Sequence, residues 1–173
     1  VSTGTVVSVL LDTRNHDKKK QKALGSVQRQ TLRNIEILVL DDGSSDKTPT
    51  ILKAAVRADP RVRIFRGTGL GAAAALNRLA GEACASLLAI MHDDDVALPA
   101  RLERQVVEIH DRGLDVCGTW YRRLSRFTIG TARPPADDSA IKAGLHFQPP
   151  LLHPSVVMRR ASFERVGGYD PAF

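Results

Sequence analysis

Three consecutive carboxylates, Asp93-Asp94-Asp95, follow the apolar run Leu87-Leu88-Ala89-Ile90-Met91 with only His92 between them. A short apolar run of this kind is typical of a buried strand. The like charges at its end repel one another unless a hard cation neutralises them, and carboxylate oxygens are the ligands that Mg²⁺ and Mn²⁺ prefer. Aspartates also occupy solvated turns. Taken alone, the segment fits a metal site and an acidic turn about equally well.

Four apolar runs of this kind alternate with helix-like segments over the first hundred residues. The runs cover residues 5–11, 35–40, 62–65 and 86–91, and they start 30, 27 and 24 residues apart. This spacing matches a strand-helix-strand step, and near-continuous apolar strands are typical of a parallel sheet covered on both faces. The sequence therefore predicts an α/β fold. The predicted helices carry apolar faces, with Ala23, Leu24 and Val27 in the first and Leu102, Val106 and Ile109 in the last.

Polar residues cluster where three of the predicted strands end. The carboxyl ends of parallel strands meet at one edge of a sheet, and ligands of such sheets bind there. We therefore expect these clusters to form one binding site rather than three solvated turns. They comprise Asp12, Thr13, Arg14 and Asn15 after the first strand, residues 41–46 after the second, and His92 to Asp95 after the fourth.

The chain changes character after Gly113. Residues 116–121 and 125–129 are predicted to pair as strands, and residues 155–158 to form one more strand. Short helices are expected at 137–143 and 160–166, the second ended by Gly167-Gly168. We expect one domain over residues 1–173, with a first half at 1–112 and a truncated extension at 113–173.

The composition is that of a globular protein with a basic surface. The formal net charge is +6 and the isoelectric point is near 9.7, which favours anionic partners. The densest basic cluster is Lys18-Lys19-Lys20-Gln21-Lys22, which we interpret as the solvated start of a helix. Aromatic residues make up only 5% of the chain, which disfavours a nucleic-acid platform because such platforms need stacking surfaces.

The sequence carries no evident membrane span or secretory signal. No apolar run approaches the roughly 20 residues that cross a bilayer, and no charged segment precedes an apolar stretch with a cleavage site. The two cysteines, Cys84 and Cys117, lie in apolar contexts and are expected to be buried free thiols. We therefore expect a cytoplasmic protein, with peripheral contact to the inner face of a membrane left open.

Five segments in order resemble the family 2 glycosyltransferases of GT-A fold. They are residues 7–15, 39–48, 75–82, 91–105 and 153–170, and the second resembles the family's VDDGSxDxT motif most closely. The resemblance implies a Rossmann-like, mostly parallel sheet with an acceptor-side extension. It also implies metal-dependent, inverting transfer of a sugar from a nucleotide-diphosphate sugar to a glycan, lipid or other hydroxyl acceptor.

The resemblance also implies roles for particular residues. The nucleotide sugar, with a UDP-sugar favoured, would be bound by Thr13, Arg14, Asn15, Asp41, Asp42, Asn77 and Asp93. Mn²⁺ or Mg²⁺ would be held by Asp94 first, with Asp93 and Asp95 as further candidates. Asp95 could equally cap the next helix, and His92 stands where the family often has its first aspartate. Arg14 replaces an aromatic residue of the family and could stack on the base through its guanidinium plane.

We expect no catalytic base within this chain. The family supplies a carboxylate some residues beyond the segment that matches Gly167-Gly168-Tyr169-Asp170, so the base is expected after Phe173. Glu164 lies before that segment and is expected on a helix surface. The roles of His92 and His153 stay open.

Four other functions compete with glycosyl transfer. A non-catalytic nucleotide-sugar binding module is the main alternative. A phosphotransferase with Asp93 as nucleophile would also need an aspartate at the end of the first strand with a second carboxylate two residues later, and Asp12 has no such partner. A dinucleotide site would need a glycine-rich turn after the first strand, and none occurs there. An RNA-binding domain is disfavoured because the acidic clusters repel phosphate, so we expect no nucleic-acid partner.

Overall fold

The computed structural model describes residues 4–15, 17–124 and 129–172. The backbone of α1 begins at Asp17, but the side chains of Lys18-Lys19-Lys20 lie outside the described residues, as does the predicted strand segment 125–128. The first half contains β1 Val7–Thr13, α1 Asp17–Gln28, β2 Ile35–Asp41, α2 Thr48–Ala58, β3 Val62–Arg66, α3 Ala72–Glu82, β4 Leu87–Ile90 and α4 Arg101–Asp111. The second contains β5 Val116–Cys117, β6 Tyr121–Leu124, β7 Ile129–Ala132, α5 Asp138–Gly144, a 3₁₀ turn at His153–Ser155, β8 Val157–Arg159 and α6 Arg160–Arg165.

The main sheet has six strands in the order β3-β2-β1-β4-β8-β5. The first four are parallel to one another, whereas β8 runs antiparallel to both β4 and β5. Every residue of β2 and β4 is buried, as expected for strands covered on both faces. The predicted α/β fold with a mostly parallel sheet flanked by helices is therefore confirmed.

Two apolar layers cover the two faces of this sheet. Because side chains alternate along a strand, Val9 and Leu11 face the layer that holds Ala23 of α1 and Leu102 of α4. Leu10 faces the opposite layer. That layer contains α3 residues Ala75, Leu76 and Leu79, and Phe163 and Tyr169 pack against it. The predicted inward faces of α1 and α4 are confirmed, although Val106 is only half-buried.

Two local predictions were wrong. The predicted pairing of 116–121 with 125–129 is wrong at its start, because Val116 and Cys117 join the free edge of β8 in the main sheet; residues 125–128 lie outside the described residues. Tyr121–Leu124 instead pairs with Ile129–Ala132 as a separate two-stranded hairpin. An exposed strand edge carries unpaired backbone groups that a nearby extended segment satisfies. Cys84 is exposed and Cys117 half-buried, so the expectation of two buried thiols fails.

No helix within the described ranges has the length and apolar character to cross a membrane.

The segment after α6 is clamped onto α3 by one side chain. The Asn77 Nδ2 group donates to the Tyr169 carbonyl at 2.8 Å, and the Tyr169 backbone N–H donates to Asn77 Oδ1 at 2.9 Å. Gly167 and Gly168 reach this position with φ of +84° and +79°. A Cβ on Gly168 would lie 2.7 Å from Asn77 Oδ1, whereas a Cβ on Gly167 would meet nothing within 4 Å. The clamp therefore leaves no room for a side chain at residue 168.

Replacing Gly168 by alanine should destabilise the protein more than replacing Gly167. Both alanines adopt a left-handed backbone that costs about 1–2 kcal/mol, but only Gly168→Ala also forces a clash with Asn77, which adds roughly 1 kcal/mol or more. Urea unfolding of the two variants measures the difference directly. Equal losses of stability would show that the clamp yields to the new methyl group.

Candidate active site

A cleft of about 480 Å³ lies beyond the carboxyl ends of the parallel strands. Asp12, Thr13 and Arg14 line it from the end of β1, and Asp42 follows β2. Gly69 and Gly71 contribute from the loop after β3, and His92, Asp93 and Asp94 contribute from the end of β4. Asp42 and Asp94, which are 52 positions apart in the printed sequence, thus face the same cavity.

The tip of β4 is held in place by its neighbour β1. The Met91 backbone N–H donates to the Leu10 carbonyl at 3.1 Å, which carries the pairing one residue beyond the strand. The Thr13 hydroxyl donates to Asp93 Oδ2 at 2.6 Å. A carboxylate that accepts a short hydrogen bond is fixed in orientation. Thr13 and Asp93, both expected at the donor, are therefore engaged with each other at the mouth of the cleft.

Three side chains at this tip could hold a metal ion. One ligand atom from each of His92, Asp94 and Asp95 lies within 4.8 Å of the others. Burial raises the pKa of Asp95, the negative charge of Asp94 raises it further, and His92 and Arg101 oppose this. Asp95 does not cap α4, since that helix starts at Arg101 after Ala100 without a side-chain cap. The cluster therefore combines carboxylates and an imidazole whose charge a divalent cation would balance.

A half-buried arginine supports the tip from behind. The Arg101 Nη2 group donates to the Ile90 carbonyl at 3.0 Å, and Nε donates to Gln105 Oε1 at 3.0 Å. Gln105 in turn donates to the Ser155 carbonyl at 2.9 Å. Burial lowers the pKa of Arg101 to about 10, and the nearby Asp95 carboxylate opposes that change. The side chain stays cationic near neutral pH and ties the acidic tip to the 3₁₀ turn.

The two aspartates after β2 have different partners. Asp41 accepts the Ser44 backbone N–H at 3.1 Å and shapes the turn that follows the strand. Asp42 accepts the backbone N–H groups of Gly69 and Leu70 at 2.8 Å and of Gly71 at 3.0 Å. Burial alone would raise the pKa of Asp42, but these three donors outweigh it and lower the pKa. Only Asp42 lines the cleft.

Asn15 joins two of the loops that surround the cleft. Its backbone adopts φ of 50°, a left-handed conformation that asparagine tolerates. Its Oδ1 accepts the Ser45 backbone N–H at 2.8 Å, and its own N–H donates to Ser44 Oγ at 3.0 Å. Asn15 therefore connects the loops after β1 and β2 and is not among the lining residues.

Asn77 is not among the residues that line the cleft. Both ends of its amide bind the backbone of Tyr169 and form the clamp on α3, and its expected contact with the donor stays a prediction. Glu164 is exposed and pairs with Arg160 at 2.7 Å, which agrees with its expected place on a helix surface.

Two ionisable residues that line the cleft, Asp12 and His92, were not among the expected donor or metal residues. Asp12 is half-buried, and burial raises its pKa, with His92 opposing this and Asp93 adding to it. His92 contacts His153, with 3.2 Å between Nε2 and Nδ1. Asp12 and His92 each follow a predicted strand, and that position was the sequence signal that placed them at the site. The contact of His92 with His153 could not be predicted, because the two histidines are far apart in the sequence.

The His92 contact continues into the C-terminal segment. His153 Nε2 lies 2.8 Å from the Tyr169 hydroxyl. Burial, followed by the neighbouring His92, lowers the pKa of His153, and burial raises the pKa of Tyr169 to about 12. Both side chains are therefore neutral near pH 7. The metal candidates, the 3₁₀ turn and the clamp on α3 form one continuous set of contacts.

Solved structures with similar folds are glycosyltransferases of the GT-A type. The chain covers 47% of the mannosyltransferase PcManGT from Pyrobaculum calidifontis, solved with GDP-Man and Mn²⁺, with 95% of this chain aligned at 21% identity and a TM-score of 0.73. It covers 48% of TarS from S. aureus, solved with UDP-GlcNAc, with 95% aligned at 19% identity and a TM-score of 0.79. These likenesses show a GT-A fold.

Sequence comparison identifies the family. The chain is 29% identical over 175 aligned positions to EpsE of Bacillus subtilis (strain 168), which is named as a glycosyltransferase, covering 98% of this chain and 62% of EpsE. It is 26% identical over 172 positions to the O-antigen biosynthesis glycosyltransferase WbnJ of Escherichia coli, covering 97% and 67%. The chain thus spans less than two thirds of EpsE and about half of the solved structures. The family model for glycosyl transferase family 2 matches residues 8–167, and the chain belongs to that family.

Proposed function

We propose that the cleft binds a nucleotide-diphosphate sugar together with a divalent cation, Mn²⁺ or Mg²⁺, and that the whole protein transfers the sugar with inversion. The acceptor would be a hydroxyl group of a glycan or a lipid-linked molecule, in polysaccharide biosynthesis. The observation that carries this proposal is the meeting of Arg14, Asp42 and Asp94 in one cavity. A cytoplasmic location with contact to the inner face of a membrane stays a prediction.

The donor set at the β4 tip suits a cation that also binds phosphate. Asp94 is exposed and adjoins the cleft, and Asp95 and His92 lie beside it. A bound divalent ion would neutralise the charge that develops on the nucleoside diphosphate as the sugar leaves. Asp93, oriented by Thr13, is placed to accept hydrogen bonds from hydroxyl groups of the ribose or the sugar. Of the three aspartates, Asp94 and Asp95 are therefore our metal ligands and Asp93 a donor contact.

The nucleotide base would lie between Arg14 and the loop after β3. Arg14 borders the cleft, and its positive charge adds to the backbone donors that lower the pKa of Asp42 against the effect of burial. A carboxylate has about four lone pairs, and Asp42 uses three for loop amides. The remaining one could accept the imide N–H of a uracil. This favours a UDP-sugar, and the bound UDP-GlcNAc of TarS is consistent with that choice.

The main alternative is a binding module without catalysis. We assign no general base within the described residues, because Glu164 is engaged with Arg160 on the surface. An inverting transfer needs a carboxylate that takes the acceptor's proton. We propose that this carboxylate is not one of the residues described here. A transfer or hydrolysis assay separates the two functions, since both predict nucleotide binding. Turnover of a nucleotide sugar by this chain alone would contradict our assignment of the base.

One class of nucleotide sugar should stabilise the protein against heat in a metal-dependent way. A screen of UDP-, GDP- and dTDP-sugars with and without Mn²⁺ measures this, and we expect the largest shift with a UDP-sugar. A ligand at 100 times its dissociation constant stabilises by about 2.7 kcal/mol. Asp94→Asn should abolish the Mn²⁺-dependent part because it removes a metal ligand.

Asp111→Asn is the matched control for that screen. Asp111 is exposed at the end of α4, and its carboxylate pairs with the neighbouring His110, so its variant should behave as wild type. A protein that shows no shift with any nucleotide would overturn the proposed donor site. An unchanged Mn²⁺ effect in Asp94→Asn would overturn the assigned metal ligand alone.

Asp42→Asn should lower the free energy of unfolding by an amount that depends on pH. An asparagine NH₂ cannot accept the Gly71 N–H, so we expect a loss of about 1–3 kcal/mol near neutral pH. The folded pKa of Asp42 lies below its ordinary value of 3.8. The stability from the ionised carboxylate is therefore complete above that value and disappears as the pH falls through the lowered pKa.

Urea unfolding at several pH values tests this. The stability gap between wild type and Asp42→Asn should be widest near pH 7 and should shrink below about pH 4. Asp111→Asn again serves as control. A gap that stays constant with pH would show that the Asp42 charge contributes nothing to the loop.

A further inference from the structure

We infer that His92 is a ligand of the divalent cation through its Nδ1 atom, and that His153 and Tyr169 position it for this role. The inference rests on the proposed function, because it concerns the same cation. It extends that function by making the segment after β8 a part of the metal centre.

The three side chains form a continuous chain of close contacts. His92 Nε2 lies 3.2 Å from His153 Nδ1, and His153 Nε2 lies 2.8 Å from the Tyr169 hydroxyl. The His92 and His153 rings are 5.3 Å apart at 55°, and the His153 and Tyr169 rings are 5.4 Å apart at 81°. Since His92 Nε2 is taken up by His153, Nδ1 is the nitrogen left for an ion.

The Tyr169 end of this series of contacts is held in place by its neighbours. The Tyr169 ring packs edge-on against Phe163 at 5.3 Å between centroids, and its backbone is clamped at both polar groups by Asn77. His153 belongs to the 3₁₀ turn that Gln105 binds through the Ser155 carbonyl. Tyr169 and His153 are therefore fixed by packing against the core and can orient His92.

Proton placement connects these contacts to the cation. A neutral imidazole carries one N–H, so His92 can offer a lone pair at Nδ1 only when its proton sits on Nε2. That proton then points at His153 Nδ1, which must accept it. His153 in turn carries its own proton on Nε2 and donates it to the Tyr169 oxygen. The two hydrogen bonds thus run from the metal site toward Tyr169 whenever His92 binds a cation.

The opposite direction of the two hydrogen bonds excludes the cation. If Tyr169 donates to His153 and His153 donates to His92, the His92 proton sits on Nδ1. A nitrogen that carries a proton has no lone pair to offer a metal. The partner of a metal-binding histidine selects its tautomer in this way, and loss of such a partner typically weakens metal binding by about 10–100-fold. His153 and Tyr169 are accordingly positioning residues rather than catalytic ones.

Mn²⁺ binding to the purified chain tests the inference without any activity measurement. Free Mn²⁺ is followed by electron paramagnetic resonance, and electron spin-echo modulation detects a directly bound imidazole nitrogen. We expect the nitrogen signal in wild type and its loss in His92→Gln. Tyr169→Phe keeps the ring but removes the hydroxyl, and should weaken Mn²⁺ binding by roughly 10-fold.

Two substitutions of His153 separate positioning from packing. An asparagine places an acceptor near the position of Nδ1, so His153→Asn should retain more Mn²⁺ affinity than His153→Leu. Tyr121→Phe and His110→Gln change the same residue types away from the cleft and should leave Mn²⁺ binding unchanged. Thermal unfolding of each variant shows whether a loss of affinity accompanies a loss of fold.

The outcomes distinguish this inference from the proposed function. Mn²⁺ binding that depends on Asp94 but shows no nitrogen signal, or that is unaffected in Tyr169→Phe and His153→Leu, would overturn the inference and leave the donor site intact. A wild-type protein that binds neither Mn²⁺ nor any nucleotide sugar would overturn both. A nitrogen signal in wild type, together with weakened Mn²⁺ binding in Tyr169→Phe and His153→Leu, supports the inference.

Discussion

Parallel pairing of β1 with both β2 and β4 is the constraint on which the site depends. Val7 lies opposite Ile35 on one side and Leu87 on the other, so three strands end at the same edge. Each strand is largely buried and mostly apolar, and polar residues follow where the sheet meets solvent. Carboxylates that are far apart in the sequence are therefore brought together, and their mutual repulsion is what a cation would relieve.

Some carboxylates at this edge are held by hydrogen bonds within the protein, and others could bind a cation. Asp41 and Asp42 are engaged with backbone N–H groups of the turns that follow β2 and β3, and Asp93 accepts from Thr13. Such bonds fix the orientation of each carboxylate. Within the described parts of the chain, Asp94 and Asp95 form a cluster with His92 that could hold a metal ion. The negative charge available to a cation is thus concentrated at the tip of β4.

The second half of the chain contacts the tip of β4 directly. Antiparallel β8 pairs with β4, and the turn before it carries His153 to His92. Arg101 and Gln105 of α4 bind both the end of β4 and the 3₁₀ turn. The segment that follows α6 is then held by Asn77 on α3. Because these contacts share residues, the geometry of the metal candidates depends on the packing of the whole C-terminal segment.

Much of this molecule could be foreseen from residue order alone. The alternation of apolar runs and amphipathic segments predicted the parallel strands and their helices, and the polar residues after strands one, two and four predicted the location of the cleft. Those features are local, because a buried strand and its terminal turn are encoded by consecutive residues.

Tertiary packing decided what each polar residue does. Asn77 serves as a clamp and Asn15 as a connection between loops, and Asp42 organises the loop after β3, because their partners lie between 27 and 92 positions away. The contact of His92 with His153 and the edge pairing of Val116 and Cys117 likewise arise only once β8 lies beside β4. Residue type limits which hydrogen bonds a side chain can make, but the folded chain selects the partner that completes them.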